Sequence, residues 1–287
     1  MLRFANCKIN LGLRVLRRRP DGYHDVETAM VKVPWADVVD VVPAQGADDL
    51  LTVTGNPVDC PPEKNLVMKA VRAMRADGLT VPPVHVFLRK IVPDGAGLGG
   101  GSSDAAATVM AVNDLFDLGL SADSMAAILA KVGSDCPFFV YNTPMLATGT
   151  GTDLRPIHIN AIGDSDLTGN LGLSGLTIVI AKIPGLSVST AQAYAGVTPD
   201  ADVEPLTDIL ALPVSKWQGR LINDFEPSVF AQLPAVAVLK QTMLDNGAVY
   251  AAMSGSGSAV FGLFSKPFTP QTLNTLFPQA LTFQATL

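Results

Sequence analysis

The chain has 287 residues, of which 48% are hydrophobic and 16% are charged. This composition fits one large or two ordinary globular domains with a substantial core, and it excludes a disordered chain. Acidic residues outnumber basic residues by 26 to 20, which argues against a nucleic-acid partner because such proteins usually present a basic face.

The chain carries no sign of a disulfide framework, a metal cluster or a targeting segment. Its three histidines are scattered, and its three cysteines, Cys7, Cys60 and Cys136, form no Cys-x-x-Cys pair, so we expect reduced, inert thiols. The first residues lack the basic region and apolar run of a signal peptide, and no long uncharged apolar segment predicts a membrane span. We therefore expect a cytoplasmic protein without membrane association.

The first third of the chain alternates between predicted strands and helices. Runs rich in Val, Ile and Leu predict strands over residues 5–16 and 26–42, and Pro-Asp-Gly at residues 20–22 predicts a turn between them. The spacing of apolar residues predicts a helix over 63–77. Alternating apolar residues predict a further strand over 84–91.

A glycine-rich segment, Pro93-Asp-Gly-Ala-Gly-Leu-Gly-Gly-Gly-Ser-Ser103, follows that strand. An amphipathic helix is predicted directly after it, with Ser102 or Ser103 as the N-cap and Gly119 at the end. Because glycine lacks a Cβ atom, backbone N–H groups in such a loop can approach an anion closely, and the helix N-terminus adds partial positive charge. The segment therefore predicts a phosphate-binding loop rather than a flexible linker.

The rest of the chain predicts an irregular succession of helices and strands. Ser121 is a predicted N-cap of a helix that ends near Gly133. The polar, glycine-rich residues 161–174 predict an inter-domain region. This irregular order favours an α+β fold, with the remaining elements predicted as strands at 138–141, 176–183 and 259–264 and as helical stretches between 184 and 246.

The glycine loop taken alone leaves the kind of phosphate site open. Gly95, Gly97 and Gly100 fit the dinucleotide pattern G-x-G-x-x-G, but a Pro-Asp pair interrupts the junction with the strand. Gly101 stands where the Walker motif requires lysine. Dinucleotide, Walker-type and kinase sites all remain possible from this loop, although His-Arg-Asp and Asp-Phe-Gly signatures of protein kinases are absent from the sequence.

Several segments together resemble the GHMP kinases, the family named for its galactose, homoserine, mevalonate and phosphomevalonate kinases. Three carry the general resemblance: Lys8-Ile-Asn-Leu11, the glycine loop 93–103, and Met253-Ser-Gly-Ser-Gly-Ser-Ala-Val-Phe261. Four more resemble the members that act on 4-diphosphocytidyl-2-C-methyl-D-erythritol: residues 19–24 (Arg-Pro-Asp-Gly-Tyr-His), 63–66 (Glu-Lys-Asn-Leu), 133–139 (Gly-Ser-Asp-Cys-Pro-Phe-Phe) and 223–227 (Asn-Asp-Phe-Glu-Pro). The resemblance runs in the family's order from Lys8 to Phe261.

The resemblance implies a fold and a reaction. The fold would be two α+β domains, an ATP-binding domain over residues 1–160 and a C-terminal domain over 161–287, with the active site in the cleft between them. The reaction would transfer the γ-phosphoryl group of ATP to the 2-hydroxyl of the cytidyl substrate, in the non-mevalonate route to isoprenoid precursors. We expect Mg²⁺ to sit largely on phosphates and water because no dense carboxylate cluster is visible in the sequence.

The resemblance also assigns roles by position. Lys8 and Asp135 would be the catalytic pair. Asn10, Tyr23 and His24 would hold the substrate, and Tyr194 is our candidate for a second ring against the cytosine. The residues expected to hold ATP are Asn65, Lys90, Pro93, Asp94, Gly95, Ala96, Gly97, Leu98, Gly99, Gly100, Gly101, Ser102 and Ser103.

A few features leave alternatives open. The run Arg17–Arg19 fits a solvated loop or a contribution to diphosphate binding. Asp104 stands where the family commonly has asparagine, which suits the helix dipole but brings a negative charge near the expected phosphates. A sister kinase acting on another small alcohol, a non-catalytic nucleotide-binding protein and, more remotely, a dehydrogenase are the alternative functions.

Overall fold

A computed structural model describes residues 1–58, 60–160, 172–266, 268–269 and 271–287. The chain divides into two compact units whose segments interleave along the sequence. Unit 1 comprises Met1–Lys8, Lys32–Asp94 and Gly99–Asn142, and unit 2 comprises Ile9–Val31, Gly95–Leu98 and Thr143–Leu287. The predicted division into domains 1–160 and 161–287 stays a prediction.

Two long strands contribute residues to both units. Strand β1 (Leu2–Arg18) pairs with β2 (His24–Pro43), which confirms the two strands predicted first and extends each by a few residues. The predicted turn between them is also confirmed, since the Arg19 N–H donates to the Tyr23 carbonyl over 2.8 Å. Gly22 has a φ of 87° in this turn, a conformation that favours glycine.

Unit 1 combines strands with helices. Strand β4 (Val84–Lys90) pairs antiparallel with the second half of β2 and parallel with β3 (Leu50–Gly55). Helix α1 (Leu66–Ala76) buries Val67, Val71 and Met74 and confirms the predicted helix. The other unit 1 elements are a 3₁₀ turn at Pro62–Lys64, helix α2 (Gly100–Leu115) and helix α3 (Ala122–Ala130).

Two local predictions in unit 1 are wrong. Helix α2 begins at Gly100 with Gly99 as its N-cap, so neither Ser102 nor Ser103 caps it; the glycines enter the helix because Gly99 adopts a φ of 67° that ends the loop earlier. Residues 138–141 do not enter a strand: residues 138–140 belong to a 3₁₀ helix, Cys136–Val140, with proline near its start, and Tyr141 is its C-cap. The predicted Ser121 cap of α3 is confirmed.

Unit 2 contains a four-stranded antiparallel sheet in the order β10 (Leu281–Thr286), β7 (Thr177–Lys182), β9 (Val260–Phe264), β8 (Tyr250–Met253). The strands predicted at 176–183 and 259–264 and the helical stretches between them are thus confirmed. Residues 161–171 of the predicted inter-domain region lie outside the described residues. The other unit 2 elements are strands β5 (Met145–Thr148) and β6 (Asp153–Pro156), helices α4 (Thr190–Ala195), α5 (Leu206–Leu210), α6 (Glu226–Gln232), α7 (Pro234–Asp245) and α8 (Gln271–Leu276), and a 3₁₀ turn at Val214–Lys216.

The core of unit 2 lies between this sheet and the helices that pack on it. Leu239 and Met243 of α7 are fully buried, as are Val229 of α6 and Val260 of β9. Burial of such side chains stabilises a fold by roughly 1.5–3 kcal/mol each before the entropic cost of ordering. Within the described ranges, no helix is both long enough and apolar enough to cross a bilayer.

Candidate active site

A lysine and an aspartate meet in unit 1. The Nζ atom of Lys8, on β1, lies 3.4 Å from Oδ2 of Asp135, which directly precedes the Cys136–Val140 turn. The Lys8 side chain is 4% exposed and that of Asp135 is 37% exposed. The structure therefore brings the predicted catalytic pair together, with a fixed ammonium behind a carboxylate that solvent and ligands can reach.

The N-terminus of α2 also lies in unit 1 and has no side-chain cap. The Ser103 hydroxyl points elsewhere and donates to the Asn6 carbonyl over 2.7 Å. A Cβ atom on the N-cap residue Gly99 would lie 3.0 Å from the Phe139 ring and 3.1 Å from the Lys8 side chain. No side chain therefore occupies the first N–H groups of the helix, which can accept an anion, and the N-cap Gly99 lies against the Lys8 side chain.

The middle of the glycine loop, Gly95–Leu98, belongs to unit 2 and packs on the second glycine-rich turn, residues 253–258. The Ser254 hydroxyl donates to the Gly97 carbonyl over 2.9 Å, and the Ala259 N–H donates to the Ala96 carbonyl. Gly97 has a φ of 75°, and a Cβ atom there would lie 2.0 Å from the Ser254 carbonyl oxygen. Only glycine fits this close contact between the two turns.

Two of the residues expected to contact the nucleotide have structural partners in unit 1. Asn65 caps α1, because its side chain accepts a hydrogen bond from the Val67 N–H. Lys90 is 3% exposed, and its ammonium donates to the carboxylates of Asp37 and, over 2.7 Å, Asp104. Their predicted contacts with ATP stay predictions.

Burial shapes the protonation of this cluster. Desolvation raises the pKa of Asp104 to about 7, although Lys90 acts in the opposite direction. Burial alone would lower the pKa of Lys90, but the carboxylates of Asp104 and Asp37 outweigh it and leave that pKa above its ordinary value. The Asp104 carboxyl thus points at a buried lysine and, with a pKa of about 7, carries only part of a negative charge near neutral pH.

The residue predicted at the reacting end of the substrate is held in unit 2. The Asn10 side chain is 3% exposed and donates to the Thr28 hydroxyl over 2.9 Å. Its backbone N–H donates to the Ser254 hydroxyl over 3.3 Å. Asn10 thus lies beside the second glycine-rich turn, where a Cβ atom on Gly255 would come within 3.2 Å of its side-chain oxygen.

Two aromatic residues predicted for the cytidine form a stack in unit 2. The ring centroids of His24 and Tyr194 are 4.7 Å apart with an interplanar angle of 16°, and Phe225 meets the Tyr194 ring edge-on. Tyr23 is 66% exposed and does not belong to this stack. Such a face can stack on a base, and the roles of Tyr23, His24 and Tyr194 toward the cytidine stay predictions.

The arginine run Arg17–Arg19 is partly paired. Arg17 and Arg19 both form ion pairs with Asp25, and their hydrogen bonds hold the pKa of that carboxyl below its ordinary value. Arg17 remains 74% exposed. These contacts fit a solvated loop, and a contribution to diphosphate binding stays a prediction.

Sequence reasoning missed two residues that shape the loops. Asp37 accepts hydrogen bonds from the backbone N–H groups of Ile91 and Val92, which lead into the glycine loop. The Asn223 amide, 2% exposed, donates to the Met253 and Gly255 carbonyls and so shapes the second turn. The family-like Asn-Asp-Phe-Glu-Pro segment could have indicated a role for Asn223. No pattern in the sequence indicates a role for Asp37, which is a single aspartate within a strand.

The thiols and possible metal ligands complete the description. All three cysteines are free, and burial raises the pKa of Cys7 to about 12 and of Cys136 to about 11. The expectation of unpaired, inert thiols stays a prediction, with which the burial of Cys7 and Cys136 is consistent. Among the described residues, no group of three His, Cys, Asp or Glu side chains could hold a metal ion.

Comparisons with known proteins match both halves of the chain. Residues 65–143 match the model of the GHMP kinase N-terminal domain, and residues 212–273 match that of the C-terminal domain. The chain is 46% identical over 275 residues to the 4-diphosphocytidyl-2-C-methyl-D-erythritol kinase of Parabacteroides distasonis, across 95% of this chain and 96% of the relative. The chain belongs to the GHMP kinase family. The resemblance and the α+β fold inferred from the sequence are both confirmed.

A second relative and two solved structures also match this GHMP kinase over nearly its whole length. It is 46% identical over 270 residues to the enzyme of the same name from Cytophaga hutchinsonii, across 94% of each chain. A crystal structure of a 4-(cytidine 5'-diphospho)-2C-methyl-D-erythritol kinase superposes with a TM-score of 0.75 at 30% identity, covering 100% of this chain and 98% of the other. The homoserine kinase of C. hutchinsonii shares the fold, with a TM-score of 0.69 at 17% identity and coverage of 98% and 94%.

Proposed function

We propose that this GHMP kinase transfers the γ-phosphoryl group of ATP to the 2-hydroxyl of 4-diphosphocytidyl-2-C-methyl-D-erythritol, in the non-mevalonate supply of isoprenoid precursors. The single observation that carries the proposal is the pair of Lys8 and Asp135 beside an uncapped helix N-terminus, in a chain whose relatives at 46% identity bear that kinase's name. A cytoplasmic location, where ATP is available, fits this reaction.

The residues of this chain divide the chemistry between positioning and charge. The substrate hydroxyl oxygen forms a bond to the γ-phosphorus while the bond from that phosphorus to the bridging oxygen breaks, and ADP leaves. Asp135 orients the hydroxyl and accepts its proton. The Lys8 ammonium lies 3.4 Å from that carboxylate, where it stabilises negative charge that develops during transfer.

The glycine loop would hold the nucleotide. The uncapped N–H groups at Gly100 and Gly101 suit phosphate oxygens, and the helix dipole favours negative charge there. Mg²⁺ would neutralise phosphate charge when it is bound. The residues present fit a metal held mostly by phosphates and water, because Asp104 is buried against Lys90 and the described residues hold no three-ligand cluster.

The substrate would lie along unit 2 residues. The stacked rings of His24 and Tyr194 supply an aromatic face for the cytosine. Asn10 would contact the reacting end, and Tyr23, which is largely exposed, would close over the base. We favour the His24–Tyr194 stack over Tyr23 as the main contact with the cytosine, because the two stacked rings already form a continuous face.

A substrate panel tests this proposal. Purified protein, ATP and Mg²⁺ are incubated with the cytidyl substrate, mevalonate or homoserine, and ADP release is followed. We expect turnover with the cytidyl substrate alone. Equal turnover with mevalonate or homoserine would instead assign the chain to a sister activity, and ADP binding without turnover on any alcohol would indicate a non-catalytic protein.

A further inference from the structure

A buried cluster of Asp37, Lys90 and Asp104 in unit 1 has no part in the chemistry just described. The three residues are 0%, 3% and 2% exposed. The Lys90 ammonium donates to Oδ2 of both aspartates, and the other Asp37 oxygen accepts the N–H groups of Ile91 and Val92, the latter over 2.8 Å. One lysine therefore joins two carboxylates that belong to different elements.

The cluster connects the two ends of the glycine loop. Lys90 is the last residue of β4, and Asp104 lies on the second turn of α2. Asp37 on β2 holds the two residues after β4, while Lys90 holds the helix that follows the loop. The distance between the end of β4 and the start of α2 is thus set by side-chain contacts that do not depend on the loop itself.

Packing places this cluster against the first residue of α2. A Cβ atom on Gly100 would lie 3.3 Å from Lys90 Nζ, 3.4 Å from Val92 Cγ1 and 3.5 Å from Asp37 Oδ2. These separations leave little room for a shift of the helix start toward the strand. Any rearrangement of the cluster would therefore move the N–H groups at this helix start.

Stability alone gives a poor account of this arrangement. Three buried ionisable groups cost desolvation energy that three apolar side chains of similar volume would not. Asp104 Oδ1 is also buried without a hydrogen-bond partner among the described residues, which adds to that cost. Buried polar groups of this kind are best explained by the geometry that they specify.

We propose that Asp37, Lys90 and Asp104 are positioning residues that fix the glycine loop and the start of α2 for the phosphates of ATP. Lys90 then acts through the loop, and its ammonium does not contact the nucleotide. This inference rests on the proposed function, because it takes the loop as the ATP site. It replaces the role that the family resemblance suggested for Lys90.

Asp104→Ala tests the inference, with Asp104→Asn as its conservative partner. Alanine removes the acceptor for Lys90, whereas the asparagine carbonyl retains one. We expect Asp104→Ala to raise the KM for ATP and the Kd for ADP about tenfold, the loss expected for one hydrogen bond to a charged group. The KM for the cytidyl substrate should stay within about twofold, and Asp104→Asn should stay within about twofold of the wild type throughout.

Asp49→Ala is the matched control. Asp49 also forms an ion pair, with Arg75, and also accepts a hydrogen bond from a backbone N–H, that of Val84, within unit 1. None of its hydrogen bonds or ion pairs among the described residues reaches the glycine loop or α2. The Asp49→Ala variant should have a lower melting temperature and unchanged ADP binding. If Asp104→Ala also lowers only the melting temperature, or if Asp104→Asn binds ADP as weakly as Asp104→Ala, the positioning role is overturned.

The Lys90→Met, Asp104→Ala double variant separates positioning from direct contact. If Lys90 and Asp104 act only through the ion pair between them, the double variant raises the Kd for ADP by less than the product of the two single-variant effects. Additive losses would show that Lys90 contacts the nucleotide itself. Calorimetric ADP binding needs no turnover, so absence of kinase activity would reject the proposed function without deciding this inference.

Discussion

The Lys8 ammonium and the Asp135 carboxylate lie 3.4 Å apart, although one residue belongs to the first strand and the other follows α3. The lysine is almost fully buried, and the carboxylate is open to ligands. This asymmetry suits the proposed phosphoryl transfer, in which a fixed ammonium would stabilise charge on the phosphate and an accessible carboxylate would receive the hydroxyl proton.

Asp135→Asn should lower kcat by about 100-fold or more, because an amide orients a hydroxyl but does not accept its proton. The KM for ATP should change little. Steady-state ADP release at saturating substrates measures the effect. Asp123→Asn is the control, since Asp123 is also partly exposed and pairs only with the Tyr141 hydroxyl among the contacts described. Near-full kcat for Asp135→Asn would remove Asp135 from catalysis.

Gly97→Ala should destabilise the protein more than Gly95→Ala. Both glycines have positive φ, 75° and 57°, so each alanine costs about 1–2 kcal/mol in backbone strain. Only at Gly97 would the new methyl group collide with the Ser254 carbonyl, whereas nothing lies within 4 Å of the Cβ position at Gly95. Thermal unfolding without nucleotide compares the variants, and equal melting temperatures would contradict the packing of the two glycine turns.

Tyr194→Ala should raise the KM for the cytidyl substrate up to about tenfold and leave the KM for ATP unchanged, because it removes one ring of the stack with His24. Tyr194→Phe keeps the ring and should stay within about twofold of the wild type. Initial-rate measurements with each substrate varied in turn test this. A KM for the cytidyl substrate that is unaffected by the alanine would exclude this stack from the cytosine site.

Asp104→Asn should stabilise the protein more at pH 8 than at pH 5. The native pKa of Asp104 is about 7, above the value near 4 of an unfolded chain. Between these values the native state holds a proton that the unfolded state releases, so wild-type stability falls as pH rises from 4 to 7 and then levels off. The Asp104→Asn variant does not lose stability in this way, because asparagine does not titrate. Relative to its value at pH 5, the free energy of unfolding of the variant should gain about 1–3 kcal/mol on that of the wild type above pH 7.

Urea unfolding of both proteins at pH 5 and pH 8 measures this difference. Asp37 and Lys90 face Asp104. Lys90, whose pKa lies above its ordinary value, stays charged between pH 5 and pH 8, and the Cys7 thiol, whose pKa is about 12, stays neutral, so neither adds a pH dependence in this window. A stability difference that does not vary with pH would show that Asp104 is ionised across the whole range.

Much of the fold follows from local patterns in the sequence. Alternation in β1 and β2, the Pro-Asp-Gly turn and the Ser121 cap each depend on neighbouring residues, and the structure confirms them. The failures are equally local. A run of glycine and serine does not show where a helix begins, and Phe138 and Phe139 are as typical of a strand as of the buried 3₁₀ turn they form.

The candidate site needed information that local patterns lack. Lys8 and Asp135 were paired through resemblance, since charge and spacing alone fit solvated residues equally well. Asp37 accepts a hydrogen bond from the backbone just before the glycine loop, and Lys90 is buried. Both features depend on contacts between strands and helices that are far apart in the sequence. No spacing rule predicts such contacts, because tertiary packing decides which polar groups are paired.

The proposed reaction is tested by identifying the oxygen atom that is phosphorylated. The protein is incubated with ATP, Mg²⁺ and 4-diphosphocytidyl-2-C-methyl-D-erythritol, and the product is followed by ³¹P NMR beside the Asp135→Asn variant. We expect a new phosphomonoester signal coupled to no proton, as expected at the tertiary 2-hydroxyl, with the diphosphate unchanged and the signal nearly absent for the variant. A phosphomonoester at another hydroxyl, or equal product with both proteins, would contradict it.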